Sequence, residues 1–182
     1  MIGVLVSGEG TNLQALVDSG LPVAAVASSK AGARALERAE RAGIPAAAFS
    51  LSDYPDRAAR DRAMADWLAG HRVELVVCAG FMQLLTPGFL DRFPAINVHP
   101  SLLPAFPGTA PIEEALAAGV AETGVTVHFV DEGVDTGPVI AREAVPILPG
   151  DTPASLRERI HRVEHRLLPE AARSYLAGAL RS

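Results

Sequence analysis

The chain has 182 residues, 19.0 kDa and a net charge of −5, a size that suits one domain, since single cores hold roughly 100–200 residues. Hydrophobic residues at 49% exclude a disordered chain, and the acidic balance, with Lys30 the only lysine and no basic tract, excludes a non-specific nucleic-acid binder. The lone Cys78 excludes an intrachain disulfide and a cysteine-rich metal cage, and no apolar run approaches the roughly 18 residues of a membrane span.

Met1–Gly8 (MIGVLVSG) lacks a basic leader and breaks at a glycine, so Ile2–Val6 reads as a first strand and not a signal peptide. The expectation is a cytoplasmic protein. A helix follows from Leu13 to about Asp18, then a second strand at Val23–Ala27. Gly32–Ala42 has the apolar spacing of an amphipathic helix closed by Gly43. Ala46–Phe49 reads as a third strand and Asp56–Ala69 as a helix with Met64, Trp67 and Leu68 inward. Glu74–Ala79 is a strand without polar alternation, the pattern of one buried on both faces.

Pro87–Phe93 reads as a short helix, Ala95–His99 as a strand, and Ser101–Pro111 as an irregular loop. Pro111–Ala118 is helical. Val125–Val130 and Val139–Val145 are strands, expected to include an antiparallel pair. The last helix runs from Pro153 to about Ala177, with Asp151 or Thr152 as its N-cap, and Pro169 is expected to kink it. Short strands alternating with helices specify an α/β class: one open, mostly parallel twisted sheet with helices on both faces, Rossmann-like.

Gly8-Glu9-Gly10-Thr11-Asn12 joins the first strand to the first helix. Its glycines permit a tight turn, and the free amides of a helix N-terminus attract anions. The loop is either a plain strand-to-helix turn or a seat for one phosphate monoester, with Thr11 and Asn12 adding side-chain donors. A dinucleotide is disfavoured: Leu13 stands where a third glycine belongs, and no ribose-binding acid follows.

Asn97 and His99 lie two apart on one strand and project to one face, at the C-terminal end where open α/β sheets place their sites. An amide stabilises an oxyanion and an imidazole relays a proton, a combination suited to acyl chemistry. Asp135, between Gly133 and Gly137, is the candidate carboxylate that orients the ring. The alternative is a loop-capping asparagine beside an ordinary buried histidine.

These residues carry a resemblance. Asn97-Val98-His99-Pro100-Ser101-Leu102-Leu103-Pro104, with Phe106 and Gly108, resembles the formyltransferase signature, and Gly124 to Pro138, with Thr126-Val127-His128-Phe129-Val130-Asp131 and Asp135-x-Gly137, resembles its second half. With Ser7-Gly8-x-Gly10-Thr11-Asn12-Leu13-Gln14 and Ala79-Gly80-Phe81-Met82, the chain is similar to the phosphoribosylglycinamide formyltransferase family over nearly its whole length.

The resemblance implies one formyltransferase domain over residues 1–182, passing the formyl group of 10-formyltetrahydrofolate to the amine of glycinamide ribonucleotide in purine synthesis. Asn97 would bind the formyl oxygen, His99 would act as general acid and Asp135 would raise its pKa. The phosphate of the ribonucleotide would rest on Gly10, Thr11 and Asn12, with Leu13 supplying backbone, and Glu164 would hold its glycinamide end. The folate pterin would be read by backbone at Met82, Gln83, Leu84 and Leu85 and at Asp131, Glu132, Gly133, Val134 and Asp135, and the folate would meet Asn97, with Arg57 nearby. No metal is implied, and the partners are small molecules, neither nucleic acid nor membrane, for a monomer or homodimer. Two departures stand out: Gln83 where the family often has Arg, and Ala110-Pro111 in place of a His-containing stretch. The alternative on the same fold is 10-formyltetrahydrofolate hydrolase, with water as the nucleophile.

Other signals are weaker. His161-Arg162-Val163-Glu164-His165 spells an inverted zinc-protease motif but lacks room for a downstream ligand, so solvated histidines are expected there. Cys78 reads as core, His71 as a solvated loop residue, and Glu113, Glu114 and Arg157–Arg159 as solvated helix faces. His128 is a secondary candidate for the cleft. Ser101–Pro111 and Glu132–Pro138 are candidates for movable loops.

Overall fold

A computed structural model of the chain describes residues 1–180. In chain order the strands are β1 (Ile2–Val6), β2 (Val23–Ser28), β3 (Ala46–Ala48), β4 (Leu75–Cys78), β5 (Ala95–His99), β6 (Glu122–Phe129) and β7 (Val139–Pro146). The helices are α1 (Thr11–Asp18), α2 (Arg34–Arg41), α3 (Arg57–Gly70), α4 (Pro87–Leu90), α5 (Pro111–Ala118) and α6 (Pro153–Leu176), with a 3-10 turn at Leu51–Asp53.

The seven strands form one sheet in the order β3-β2-β1-β4-β5-β6-β7. The first five are parallel and the last two antiparallel, so the expected antiparallel pair is present and β5 also pairs antiparallel with β6. In that pairing Asn97 lies opposite His128, and His99 opposite Thr126. The alternation of β1 sends Ile2, Val4 and Val6 into a core with Leu13 and Leu16 of α1 and Leu156, Ile160 and Leu168 of α6. Leu5 faces the opposite core, with Met64 and Leu68 of α3, Phe89 and Phe93. Burial on both faces accounts for the unbroken apolar strands.

From β1 the chain winds outward to β2 and β3, then returns to the other side of β1 as β4. That reversal opens a crevice beyond the C-terminal ends of β1 and β4, where such sheets take their ligands. Three loops meet there: residues 7–10 after β1, 79–86 after β4 and 100–110 after β5.

Several boundaries differ from expectation. Helix α1 begins at Thr11, not Leu13, because Gly10 itself serves as the N-cap in a left-handed conformation, φ 76°. A Cβ on Gly10 would lie 2.6 Å from the Ala35 Cβ, so glycine is required there for both conformation and space. Strand β6 begins at Glu122, extending its ladder with β7. Helix α6 is capped by Thr152 in a reciprocal pair with Ser155, while Asp151 accepts from the Leu148 N–H and pairs with Arg159. Pro169 lies within α6, and the helix continues through it to Leu176.

His71 is not a freely solvated residue: its Nδ1 lies 2.8 Å from the Trp67 carbonyl and its ring centroid 4.5 Å from that of Trp67. Arg157 pairs with Glu113 at the surface, as a solvated face allows.

Candidate active site

The crevice is a cleft of about 550 Å³, a volume suited to a small-molecule ligand. Its chemistry begins on β5. Asn97 is half-buried and His99 and His128 are buried, all at the boundary between the parallel and antiparallel parts of the sheet.

Asp135 reaches them from the loop after β6. Its Oδ2 lies 3.4 Å from His99 Nδ1 and its Oδ1 3.6 Å from His128 Nε2. The Gly108 N–H donates to Oδ2 at 2.9 Å. Asp135 has φ 55°, a left-handed conformation that costs a non-glycine residue about 1–2 kcal/mol. Two residues on, the chain passes so close to β6 that a Cβ at Gly137 would fall 1.8 Å from the Phe129 carbonyl oxygen. Burial alone would raise the Asp135 pKa, but the contacts with His128 and the Gly108 N–H, and the two imidazoles, outweigh it and hold the carboxyl below its ordinary value.

The ring nitrogens have defined partners. His99 Nε2 lies 2.8 Å from the Phe106 carbonyl oxygen, which can only accept, so Nε2 carries a hydrogen and a second proton on Nδ1 would face Asp135. His128 Nδ1 lies 2.8 Å from the Phe129 carbonyl. A neutral ring accepts from Asn97 Nδ2 at Nε2, 3.2 Å away, while a protonated ring turns Nε2–H toward Asp135 Oδ1; in both states at least one amide hydrogen of Asn97 is unclaimed. His128 is therefore a fourth member of the constellation. Its alternation with Val127 and Phe129 was the sequence signal; the antiparallel pairing that sets it opposite Asn97 was not visible.

At the other end of the cleft, Gly10, Thr11 and Asn12 form the start of α1, where the first amides have no intrahelical acceptor. Asn12 does not offer its side-chain donor to a ligand as expected: Nδ2 donates to Glu164 Oε2 at 3.0 Å, because α6 packs across α1. Asn12 Oδ1 is buried without a partner. Glu164 is buried, which pushes its carboxyl up to about 7 against the opposing Asn12 hydrogen bond. An unpartnered acceptor beside a buried carboxyl calls for a ligand that brings hydrogen-bond donors.

Met82, Gln83, Leu84 and Leu85 line the cleft, as do Asp131, Gly133 and Val134. The Met82 N–H donates to Ser7 Oγ, tying this loop to the end of β1. Leu13 is fully buried in the core, so its backbone alone is placed for a ligand at the helix start, as expected. Two expected site residues lie elsewhere. Glu132 and Arg57 are exposed and outside the lining, Arg57 because it opens α3 on the solvent side.

His161, in contrast, lines the cleft, half-buried, with Nε2 3.9 Å from Glu164 Oε2, and His165 stacks on it with ring centroids 5.8 Å apart. The solvated histidine face expected there is thus partly inside the site, since the face of α6 that carries Glu164 carries His161 too. Among the described residues no group of three or more His, Cys, Asp or Glu is arranged to hold a metal ion. Cys78 borders the cleft, but burial pushes its thiol up to about 12, so it is not a nucleophile at neutral pH. The 101–110 loop is anchored: Thr126 Oγ1 donates to the Ser101 carbonyl and accepts from the Leu103 N–H, and Arg142 donates to the Leu103 carbonyl.

Residues 1–172 match the family described as formyl transferase. The chain belongs to the formyl transferase family. Among its relatives, the phosphoribosylglycinamide formyltransferase of Mycobacterium tuberculosis (strain ATCC 25618 / H37Rv) is 47% identical over 92% of this chain and 81% of its own length. The trifunctional purine biosynthetic protein adenosine-3 of Drosophila pseudoobscura pseudoobscura is 47% identical over 99% of this chain, which spans 14% of that protein. Among solved structures, glycinamide ribonucleotide transformylase 1 from Symbiobacterium toebii superposes with a TM-score of 0.95 at 49% identity, covering 97% of this chain and 87% of that one. The formyl transferase fold is therefore shared across the whole sheet. No helix among the described residues is long and apolar enough to cross a membrane.

Proposed function

We propose that this formyl transferase, acting as one domain in the cytoplasm, transfers the formyl group of 10-formyltetrahydrofolate to the amine of glycinamide ribonucleotide. The observation that carries the reading is the meeting, in one cleft, of the Asn97–His99–His128–Asp135 cluster with an anion-type helix start and a buried carboxyl at Glu164.

The α1 amides of Thr11, Asn12 and Leu13 hold the phosphate. Glu164 and Asn12 Oδ1 receive the amine end, which Glu164 also helps to deprotonate, because a carboxyl with a pKa of about 7 is matched to that task at neutral pH. Met82–Leu85 and Asp131–Asp135 flank the folate. As the amine attacks the formyl carbon, the unclaimed Asn97 N–H stabilises the negative charge growing on the formyl oxygen. The Nδ1 proton of His99, the one not held by the Phe106 carbonyl, passes to the departing folate nitrogen, and Asp135, 3.4 Å from Nδ1, stabilises the imidazolium until it does.

The test is folate product formation from 10-formyltetrahydrofolate with and without glycinamide ribonucleotide. Turnover that depends on the ribonucleotide and formylates its amine supports the transferase. Formate released at the same rate without it identifies a hydrolase and overturns the reading.

A further inference from the structure

The loop after β4 that flanks the proposed folate site rests on a buried ion pair. Arg60 and Asp61 on α3 are almost wholly inaccessible, with side-chain exposures of 0% and 1%, and Arg60 Nε donates to Asp61 Oδ1 at 2.6 Å. Burying two charges costs several kcal/mol unless they gain further partners. The gained partners lie in one segment. Arg60 Nη1 donates to Gln83 Oε1, the guanidinium sits 5.6 Å from the Phe81 ring centroid, and Asp61 Oδ2 accepts the Thr86 N–H at 2.7 Å. The pair therefore grips both ends and the middle of residues 81–86.

A guanidinium has only donors. It fixes the Gln83 amide with its oxygen toward α3, so the group left to face a ligand is the NH₂, and Gln83 lines the cleft. We propose that Arg60 and Asp61 are positioning residues for the folate. They hold residues 82–85 in place and make Gln83 a neutral hydrogen-bond donor to an acceptor oxygen of that co-substrate. The proposal rests on the functional reading above and names the polarity of one of its subsites.

Two variants test this by steady-state kinetics with each substrate varied in turn. Gln83→Glu preserves an oxygen for Arg60 but shows the cleft an acceptor. Arg60→Lys keeps a charge for Asp61 without a fork that reaches both partners. Each is expected to raise the KM for 10-formyltetrahydrofolate about 3- to 10-fold, the scale of one hydrogen bond, while the KM for glycinamide ribonucleotide moves less than twofold. A purely structural role for Arg60 would lower thermal stability without separating the two KM values, and would leave Gln83→Glu indistinguishable from wild type. Wild-type turnover with an unmoved folate KM in Gln83→Glu overturns the proposal alone. A wild-type protein that transfers no formyl group overturns the functional reading and the proposal together.

Discussion

Replacing Glu164 with glutamine should make the protein more stable at alkaline pH and less able to use its ribonucleotide. Burial raises this carboxyl from an ordinary 4.5 to about 7. The folded state then holds the proton more tightly than the unfolded chain, so stability is greatest below pH 4.5 and declines as pH climbs to about 7. At about 1.4 kcal/mol per pH unit, the whole interval amounts to about 3 kcal/mol of stability lost on ionisation. The glutamine amide would retain an oxygen for Asn12 Nδ2 and never ionise. Urea unfolding at pH 5 and pH 8 reads most of that interval. Between them the wild type should lose about 2.5 kcal/mol more than Glu164→Gln, equivalent to roughly 5–10 °C in Tm for a chain of this size. His161 and His165, both held below their ordinary pKa chiefly by burial, titrate in both proteins, and since His161 Nε2 lies 3.9 Å from Glu164 Oε2 the difference reads Glu164 together with its coupling to His161. Equal losses in the two proteins would refute the placement of Glu164 as a buried, proton-holding carboxyl.

Asn97→Ala should lower kcat by about 10²–10³, or 2.7–4 kcal/mol, the cost of removing an oxyanion donor; a defect confined to KM would argue against that role. Asp135→Asn should retain folate binding, measured by calorimetry, while turnover collapses, since the imidazolium loses its partner; undiminished turnover would remove Asp135 from the chemistry. Gly10→Ala should destabilise the fold by at least about 1–2 kcal/mol, because a left-handed φ is joined to a clash with Ala35. An unchanged urea midpoint would contradict it.

The strands of the sheet and the Asn97–His99 pair were legible because period and position carry them: buried strands read as apolar runs, and two residues two apart on a strand must share a face. Asp135 was legible from its flanking glycines. The grip of Arg60 on the 81–86 loop was not, because an arginine and an aspartate at adjacent helical positions look like any solvated charge pair, and only the packing of α3 under that loop buries them. The same holds for His161, whose place in the cleft depends on which face of α6 meets α1. Arg57, expected near the folate, shows the converse: the resemblance named the helix correctly, but the residue at its first turn faces solvent.

The pairing of Asn97 with His128 belongs to no single loop; it is set by the ladder between β5 and β6. Because side chains alternate along a strand, slipping that ladder by one residue would carry His128 to the far face of the sheet and bring Val127 or Phe129 opposite Asn97. The alignment of the cluster is thus a by-product of docking β6 on β5 in register. Gly124 guards it: a Cβ there would strike Leu102 Cδ2, on the loop that follows β5, at 2.5 Å, and the Glu143 carbonyl of β7 at 2.3 Å. Sites remote from the cleft can in this way govern the chemistry with no change to any group that performs it, because a slip of β6 would take Val125 and Val127 out of their core and His128 out of the cleft together.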